Sequence, residues 1–327
     1  MYDLHDYARM IADEARMGPY VRALEAVVKP GSVVVDVGSG TGIFALVACR
    51  LGAKRVYAIE TNDVIEVGRE LARENGVADR IVFFHKDARE VELPERADVI
   101  VSDLRGALPL FGDHLAIIAD ARERFLNPGG VLVPERDRLM VAVVDSAELY
   151  EWAVGPARGP LGVTLESMRT RLHDLTKSES NPVPAQNLVS SPALWATLDY
   201  ATLRPGPIAG RAELRVDRPS VGHGLVVWFE ADLAREHGFS SADEELSSYG
   251  RLFLPWPRPV VLTTGGVVTV DLWAQPDGDP WGWNSSVPNG PQLRESFKQS
   301  SFASPPRERP LRARGGGGAA LSQTSRS

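Results

Sequence analysis

Between residues 33 and 133 the apolar positions alternate between two spacings. Val33–Val37 is an almost unbroken β-branched run, as expected of a strand covered on both faces. Phe44–Arg50 continues as helix. Arg55–Ile59 is a second short apolar run, and Val64–Asn75 carries its apolar residues at helical spacing. Ile81–His85 and Ala97–Val101 read as third and fourth strands. Strands alternating with helices predict a parallel sheet with helices on both faces, and the ligand site of such a sheet lies at the carboxyl ends of its strands.

After Pro134 the pattern changes. Val141–Val144, Leu194–Leu203, Ala212–Val216, Leu225–Glu230, Leu252–Leu254 and Val267–Trp273 are short, partly alternating segments, several of them separated by Gly- and Pro-rich turns such as Thr264-Gly265-Gly266. They predict an antiparallel barrel or sandwich placed after the parallel sheet. Ser178–Ser191 is largely polar and reads as a linker. Trp228, Trp256 and Trp273 read as packing residues of the second unit. Two domains suit a chain of 327 residues.

The chemistry sits where the predicted strands end. Gly38, Gly40 and Gly42 follow the first strand directly, with Thr41 among them and Asp36 inside the strand. Glycines there let the backbone turn sharply and approach a ligand closely. A nicotinamide or flavin fingerprint wants a glycine or alanine at position 43, where Ile43 stands, and no Gly-Lys-Ser/Thr follows to make a phosphate loop. Glu60 ends the second strand. An acid there either accepts hydrogen bonds from both ribose hydroxyls or serves as a helix-start carboxylate. Asp87 lies just past the third strand and Asp103 just past the fourth.

The Gly-x-Gly-x-Gly turn with Asp36 resembles motif I of the class I S-adenosylmethionine (SAM) methyltransferases. That likeness implies SAM as cofactor, held by Asp36, Gly38, Gly40, Thr41 and Glu60, with Asp87 and its neighbour Ala88 at the adenine. Other segments resemble the protein arginine methyltransferases. Asp13-Glu14-Ala15-Arg16 is similar to the family's Asp-Glu-Val-Arg segment on a helix ahead of the sheet. By that match Arg16 would take the methionyl carboxylate of SAM in a bidentate contact, and Met10 would be the active-site methionine. Asp98–Gly106 resembles the strand opening the family's double-glutamate hairpin, and Ala121–Pro134 the helix, turn and strand that finish the first domain. Leu161–Leu175 resembles the arm through which these enzymes dimerise. His223–Ser240 and Gly250–Leu272 resemble barrel strands. The likeness covers roughly residues 3–275 and implies a Rossmann-like domain followed by a β-barrel interrupted by the arm, a homodimer, and a protein or peptide substrate.

The departures fall at the acceptor end. The first hairpin glutamate is Asp103; Gly112 stands at the spacing of the second, and Asp113 is the nearest acid. Asp103 and Asp113 are the catalytic candidates, placed to steer a guanidinium or amine and to take up its proton late. A carboxylate shortened by one methylene is drawn back by about 1 Å, a misplacement that can cost roughly 10²-fold in rate. The family's Thr-His-Trp loop should fall near Leu246–Ser248, where neither histidine nor tryptophan occurs. Arg105 would bring positive charge to the acceptor site unless it turns to solvent or pairs with an acid. These differences keep two alternatives open: a methyltransferase of a small-molecule or peptide-natural-product amine or hydroxyl, and a SAM-binding protein without catalysis.

Composition narrows the partners. A net charge of −7 argues against nucleic acid as the main partner. The one cysteine, Cys49, rules out an intramolecular disulfide and fits a buried thiol in a reducing cytoplasm. No segment approaches a membrane span or a signal peptide, and His223 and His237 lack metal-site spacing, so no metal is expected. Trp281–Asn284 reads as a last strand against the barrel. From about Ser300 the chain is rich in Ser, Pro, Arg and Gly and is expected to be disordered, with Arg312 and Arg314 beside a glycine run that resembles a methylation site.

Overall fold

The computed structural model describes residues 3–301 apart from 111, 176, 180–182, 247, 276–279 and 290–292. The tail with Arg312 and Arg314 lies outside the described residues. Helices α1 (Leu4–Ala12) and α2 (Glu14–Val27) precede a parallel sheet made of β1 (Val33–Val37), β2 (Arg55–Glu60), β3 (Ile81–His85), β4 (Ala97–Ser102) and β5 (Leu126–Val133). Its strand order is β3-β2-β1-β4-β5, with α3 (Ile43–Arg50), α4 (Ile65–Glu74) and α5 (His114–Phe125) in the connections. All five β1 residues are buried, which accounts for their unbroken apolar run around the single carboxylate of Asp36.

The chain then enters antiparallel structure. β6 (Arg136–Val144) leads into α6 (Ala147–Val154) and α7 (Glu166–Leu172), followed by β7 (Lys177–Glu179). The remaining strands are β8 (Ala193–Asp199), β9 (Ile208–Arg215), β10 (Ser220–Ala234), β11 (His237–Ser240), β12 (Arg251–Leu262), β13 (Val267–Ala274), β14 (Trp281–Asn289) and β15 (Leu293–Ser300). One sheet runs β7-β12-β10-β6-β8, with β11 paired to β10, and a second runs β15-β14-β13-β9. Helices plus a parallel sheet, followed by antiparallel sheets, is the architecture the apolar pattern predicts.

Three boundaries differ from the sequence reading. The segment 178–191 is partly incorporated: Lys177–Glu179 pairs with β12, Val189 is buried, and the Ser190 hydroxyl accepts the Val143 amide. Polar composition concealed this because β-pairing uses the backbone and needs no apolar run. The Trp281 segment is longer than expected and forms a hairpin with β15 that continues the sheet past β13. The third strand of the second half stops at Asp199 rather than Leu203.

Helix α2 positions the site. Asp13 caps its N-terminus by accepting the Arg16 amide, and the same carboxylate takes the Ser248 amide and hydroxyl at 2.9 and 2.6 Å. Tyr20 on α2 stacks on Phe44 of α3 at 4.6 Å between ring centres and meets Phe239 of β11 at 6.2 Å. One helix thereby packs against both halves of the chain, with the strand ends of the parallel sheet beside it.

Candidate active site

A cavity of about 510 Å³ opens at the carboxyl ends of β1, β2 and β4, between α1 and the loop before β12. Gly38 and Gly40 form its floor, with φ of +72° and +53°. A Cβ at Gly38 would lie 2.2 Å from Leu104 Cδ2, and one at Gly40 would lie 2.5 Å from Tyr7 Cε1. Neither position accepts a side chain, so the backbone itself faces the cavity. The Gly38 and Ser39 amides both donate to the Ile59 carbonyl, which ties the turn to β2.

Glu60 is buried at the cavity edge. Its Oε1 accepts the Thr61 and Asn62 amides and its Oε2 the Gly40 amide, each at 2.8 Å. Backbone donors thus fix the carboxylate, and Oε2, with this one bond, keeps a lone pair for a ligand hydroxyl. Asp36 lies beneath the turn rather than on the cavity. Its Oδ2 accepts the Ala45 amide at 3.1 Å, and complete burial pushes its carboxyl up to about 7.

The side of the cavity around Asp103 is organised by charge. Arg16 donates to Asp103 Oδ2 from Nε at 2.8 Å and approaches it with Nη2 at 2.7 Å, and its Nη1 donates to the Met10 carbonyl. The Tyr249 hydroxyl donates to the same Oδ2 at 2.5 Å, and Arg105 Nη1 donates to Oδ1 at 3.1 Å. Burial alone would raise the Asp103 carboxyl, but the Arg16 and Arg105 guanidiniums outweigh it and hold the group below the usual carboxylate range.

Behind this carboxylate the chain of charges continues inward. Arg105 is completely buried, and its Nε donates to Asp137 Oδ2 at 2.8 Å while Nη1 donates to the Tyr20 hydroxyl at 2.7 Å. Of the orientations open to Arg105, pairing with acids is the one adopted. Tyr200 donates to Asp137 Oδ2 at 2.5 Å, and its oxygen lies 2.9 Å from His114 Nε2. His114 is buried, which drives its imidazole down to about 3 and keeps it neutral.

The cavity brings together Met10, Arg16, Gly38, Gly40, Thr41, Glu60 and Asp103. It does not bring Asp113, Asp87 or Ala88 to its wall. Asp113 is exposed ahead of α5 and pairs with Arg89 at 3.0 Å. The same Arg89 holds Asp87 through Nε and Nη2. Gly112, at φ +66°, precedes Asp113 in a turn ahead of α5, and Asp113 pairs with that arginine rather than facing the cavity with Asp103.

A family model for ribosomal protein L11 methyltransferase (PrmA) matches residues 20–133, the parallel-sheet part. Protein arginine N-methyltransferase 6 of Danio rerio is 30% identical over 246 residues, covering 72% of this chain and 70% of the relative. The chain belongs to the protein arginine N-methyltransferase family.

Another member, probable protein arginine N-methyltransferase 6 of Arabidopsis thaliana, is 28% identical over 70% of this chain, and the match spans 56% of that relative's length. The fold extends the likeness. A chain of the Trypanosoma brucei PRMT1 enzyme–prozyme heterotetrameric complex with AdoHcy superposes with a TM-score of 0.82 at 19% identity, over 90% of this chain and 96% of that one. Arabidopsis thaliana protein arginine methyltransferase 10 gives 0.77 at 20% identity, over 91% and 97%. Within this member of the family, five residues that shape the site went unread in the sequence: Tyr7, Leu104, Tyr249, Asp137 and Tyr20. Tyr7 and Leu104 touch glycines, and Tyr249 and Asp137 come from the far half of the chain. Leu104, between Asp103 and Arg105, and Tyr249, next to the segment where the Thr-His-Trp loop is missing, had a signal nearby.

Proposed function

We propose that the chain transfers the methyl group of SAM to an arginine side chain of a protein or peptide. One observation carries the reading: Arg16, the Gly38–Thr41 turn, Glu60 and Asp103 line a single cavity at the strand ends. The donor set fits the cofactor. Arg16 supplies a guanidinium for a carboxylate, Glu60 a backbone-fixed acceptor for ribose hydroxyls, and the two glycines a surface without side chains. Arg16 already touches Asp103, so a cofactor carboxylate would share that guanidinium instead of holding it alone.

When bound, SAM supplies an activated sulfonium methyl, which leaves the protein mainly the task of placing a nucleophile. Asp103 accepts an N–H of the acceptor and aims its nitrogen. Two guanidiniums hold this carboxyl low, so Asp103 is a weak base that orients the acceptor, and the proton released after transfer passes to water. Met10 closes the wall beside Arg16.

A second reading, transfer to an amine or hydroxyl, is favoured by one feature. Asp103 Oδ2 already takes bonds from Arg16 and Tyr249, and among the described residues the cavity's other carboxylate, Glu60, is tied to the amides of Gly40, Thr61 and Asn62 rather than forming a fork with it. Incubation with labelled SAM, a cell extract and arginine–glycine peptides, followed by acid hydrolysis, separates the readings. Methylarginine supports the first, and label on another nucleophile replaces it with the second. SAM binding without any transfer would leave a binding protein.

We also place the chain in the cytoplasm as a homodimer. Among the described residues no helix is long and apolar enough to cross a membrane. Trp152, Leu161, Val163 and Met168 are exposed apolar residues on and between α6 and α7, the arm that would meet a second copy. Sedimentation at tens of micromolar should give a dimer; a monomer would remove the arm from that role.

A further inference from the structure

Tyr249 directly follows Leu246–Ser248, where the family's Thr-His-Trp loop should fall and neither histidine nor tryptophan occurs, yet it reaches the cavity. It lines the cavity and is itself buried. Its ring stacks on Phe239 at 5.3 Å with 10° between planes and meets Phe229 edge-on at 5.1 Å, so its position is set by packing. Its hydroxyl makes two contacts of opposite sense. It accepts from Arg16 Nε at 3.3 Å and donates to Asp103 Oδ2 at 2.5 Å. Burial raises the phenol above its ordinary range, the neighbouring Asp103 charge raises it further, and the group remains a donor.

We propose that Tyr249 is a positioning residue that links the cofactor-side guanidinium of Arg16 to the acceptor-side carboxylate of Asp103 and fixes the direction of that carboxylate. The inference rests on the methyltransferase reading for its catalytic consequence, but the linkage itself is a property of this chain. Asp103 is faced by Arg16 from α2, by Arg105 from its own loop and by Tyr249. Tyr20 and Asp137 reach it through Arg105, Tyr200 stands one step further on Asp137, and His114 lies beyond Tyr200. Of the three direct partners, the two arginines carry charge whatever Tyr249 does. The phenol supplies orientation, because packing against Phe239 and Phe229 fixes the place of the oxygen from which the hydrogen bond to Asp103 is made.

Tyr249→Phe tests the linkage, since it keeps the aromatic stack and removes only the oxygen. The full-length chain is labelled with ¹³C-carboxyl aspartate, and the Asp103 resonance is identified as the one missing in Asp103→Asn. A hydrogen bond to a carboxylate shifts its acid constant by about tenfold or more. The Asp103 midpoint should therefore rise by that factor in Tyr249→Phe, while the other aspartate resonances stay in place. A resonance that remains ionised to the same acid limit in both proteins overturns the proposal. Label transfer to an arginine–glycine peptide should fall about tenfold in kcat, with the KM for SAM within about threefold. An unchanged kcat overturns the positioning role. If the parent protein methylates no peptide, the proposed function fails, and the titration alone decides the role of Tyr249.

Discussion

Replacing Arg105 with methionine is the sharpest test of the charge chain behind the cavity. Methionine keeps much of the length and apolar character of the stem and removes the guanidinium. Among the described residues the Asp137 carboxylate would then retain only Tyr200 as a side-chain partner, inside packing that includes Phe229 and Phe239, whose ring centres lie 5.4 and 5.7 Å from the guanidinium carbon. Removing one member of a buried ion pair costs about 3–5 kcal/mol, chiefly from the charge left behind. Asp137 can reduce that cost by taking up a proton, since burial already raises its carboxyl and Arg105 is the main influence lowering it. The sign follows. An acid raised in the folded state carries no penalty below its unfolded value near 3.8 and a growing one as pH rises toward its folded value. Arg105→Met should thus lose about 3 kcal/mol at pH 8 and markedly less at pH 5. Adding Asp137→Asn removes the stranded charge and should recover at least about 1.5 kcal/mol at pH 8. Urea unfolding followed by tryptophan fluorescence reads all three proteins, with the slopes compared because two packed halves need not unfold together. A loss under about 1 kcal/mol in the single variant, or a double variant no better than the single, would refute the account of Arg105 and Asp137 as one buried unit.

Other expectations follow from the cavity and its surroundings. Arg16→Ala and Glu60→Ala should each weaken SAM binding by roughly 10²-fold or more in calorimetry, the second because it also strands the Gly40, Thr61 and Asn62 amides; normal binding in either would take that residue out of the cofactor site. Asp103→Asn should stop methyl transfer while SAM affinity stays within about tenfold, and an unchanged rate would exclude Asp103 from acceptor alignment. His114 titrates near 3 in the folded chain against an ordinary 6.5, so its contribution is complete above pH 6.5 and is lost as pH falls. His114→Gln should remove about 3 kcal/mol of the stability change between pH 6.5 and 4, and equally steep pH dependence in both proteins would contradict a neutral buried imidazole.

Much of the parallel-sheet half was legible because its strands are buried on both faces and its turns need glycine. Val33–Val37 and Ile81–His85 coincide with the observed strands for that reason. The glycine-turn side of the cavity was readable too, since Gly38 and Gly40 follow β1 directly and Glu60 ends β2. The Asp103 side was less so. Asp103 could be placed from its strand and Arg105 lies two residues on, but Arg16 and Tyr249 reach the carboxylate only through contacts distant in sequence. Asp113 illustrates the limit: one residue of spacing beside a left-handed glycine decided between the cavity and a surface pair with Arg89. Asp87 was placed correctly after β3, and nothing local announced that Arg89, two residues on, would occupy its carboxylate.

The hairpin of β14 and β15 sets where the chain can be shortened. Trp283 is completely buried and donates to Gln299 Oε1, while the amide of Gln299 reaches the carbonyls of His173 and Pro255. Trp256 likewise donates to Ser285. The hairpin thus seals the flank of β13 and fastens the end of α7 to the second half. Trimming the residues after 301 removes no pairing described above. A cut before Trp281 would leave β13 with a bare row of backbone donors and acceptors, together with the unshielded indole of Trp256. An uncovered strand of that kind recruits other chains, so such a shortened protein should be recovered as aggregate even though its cavity residues are all present.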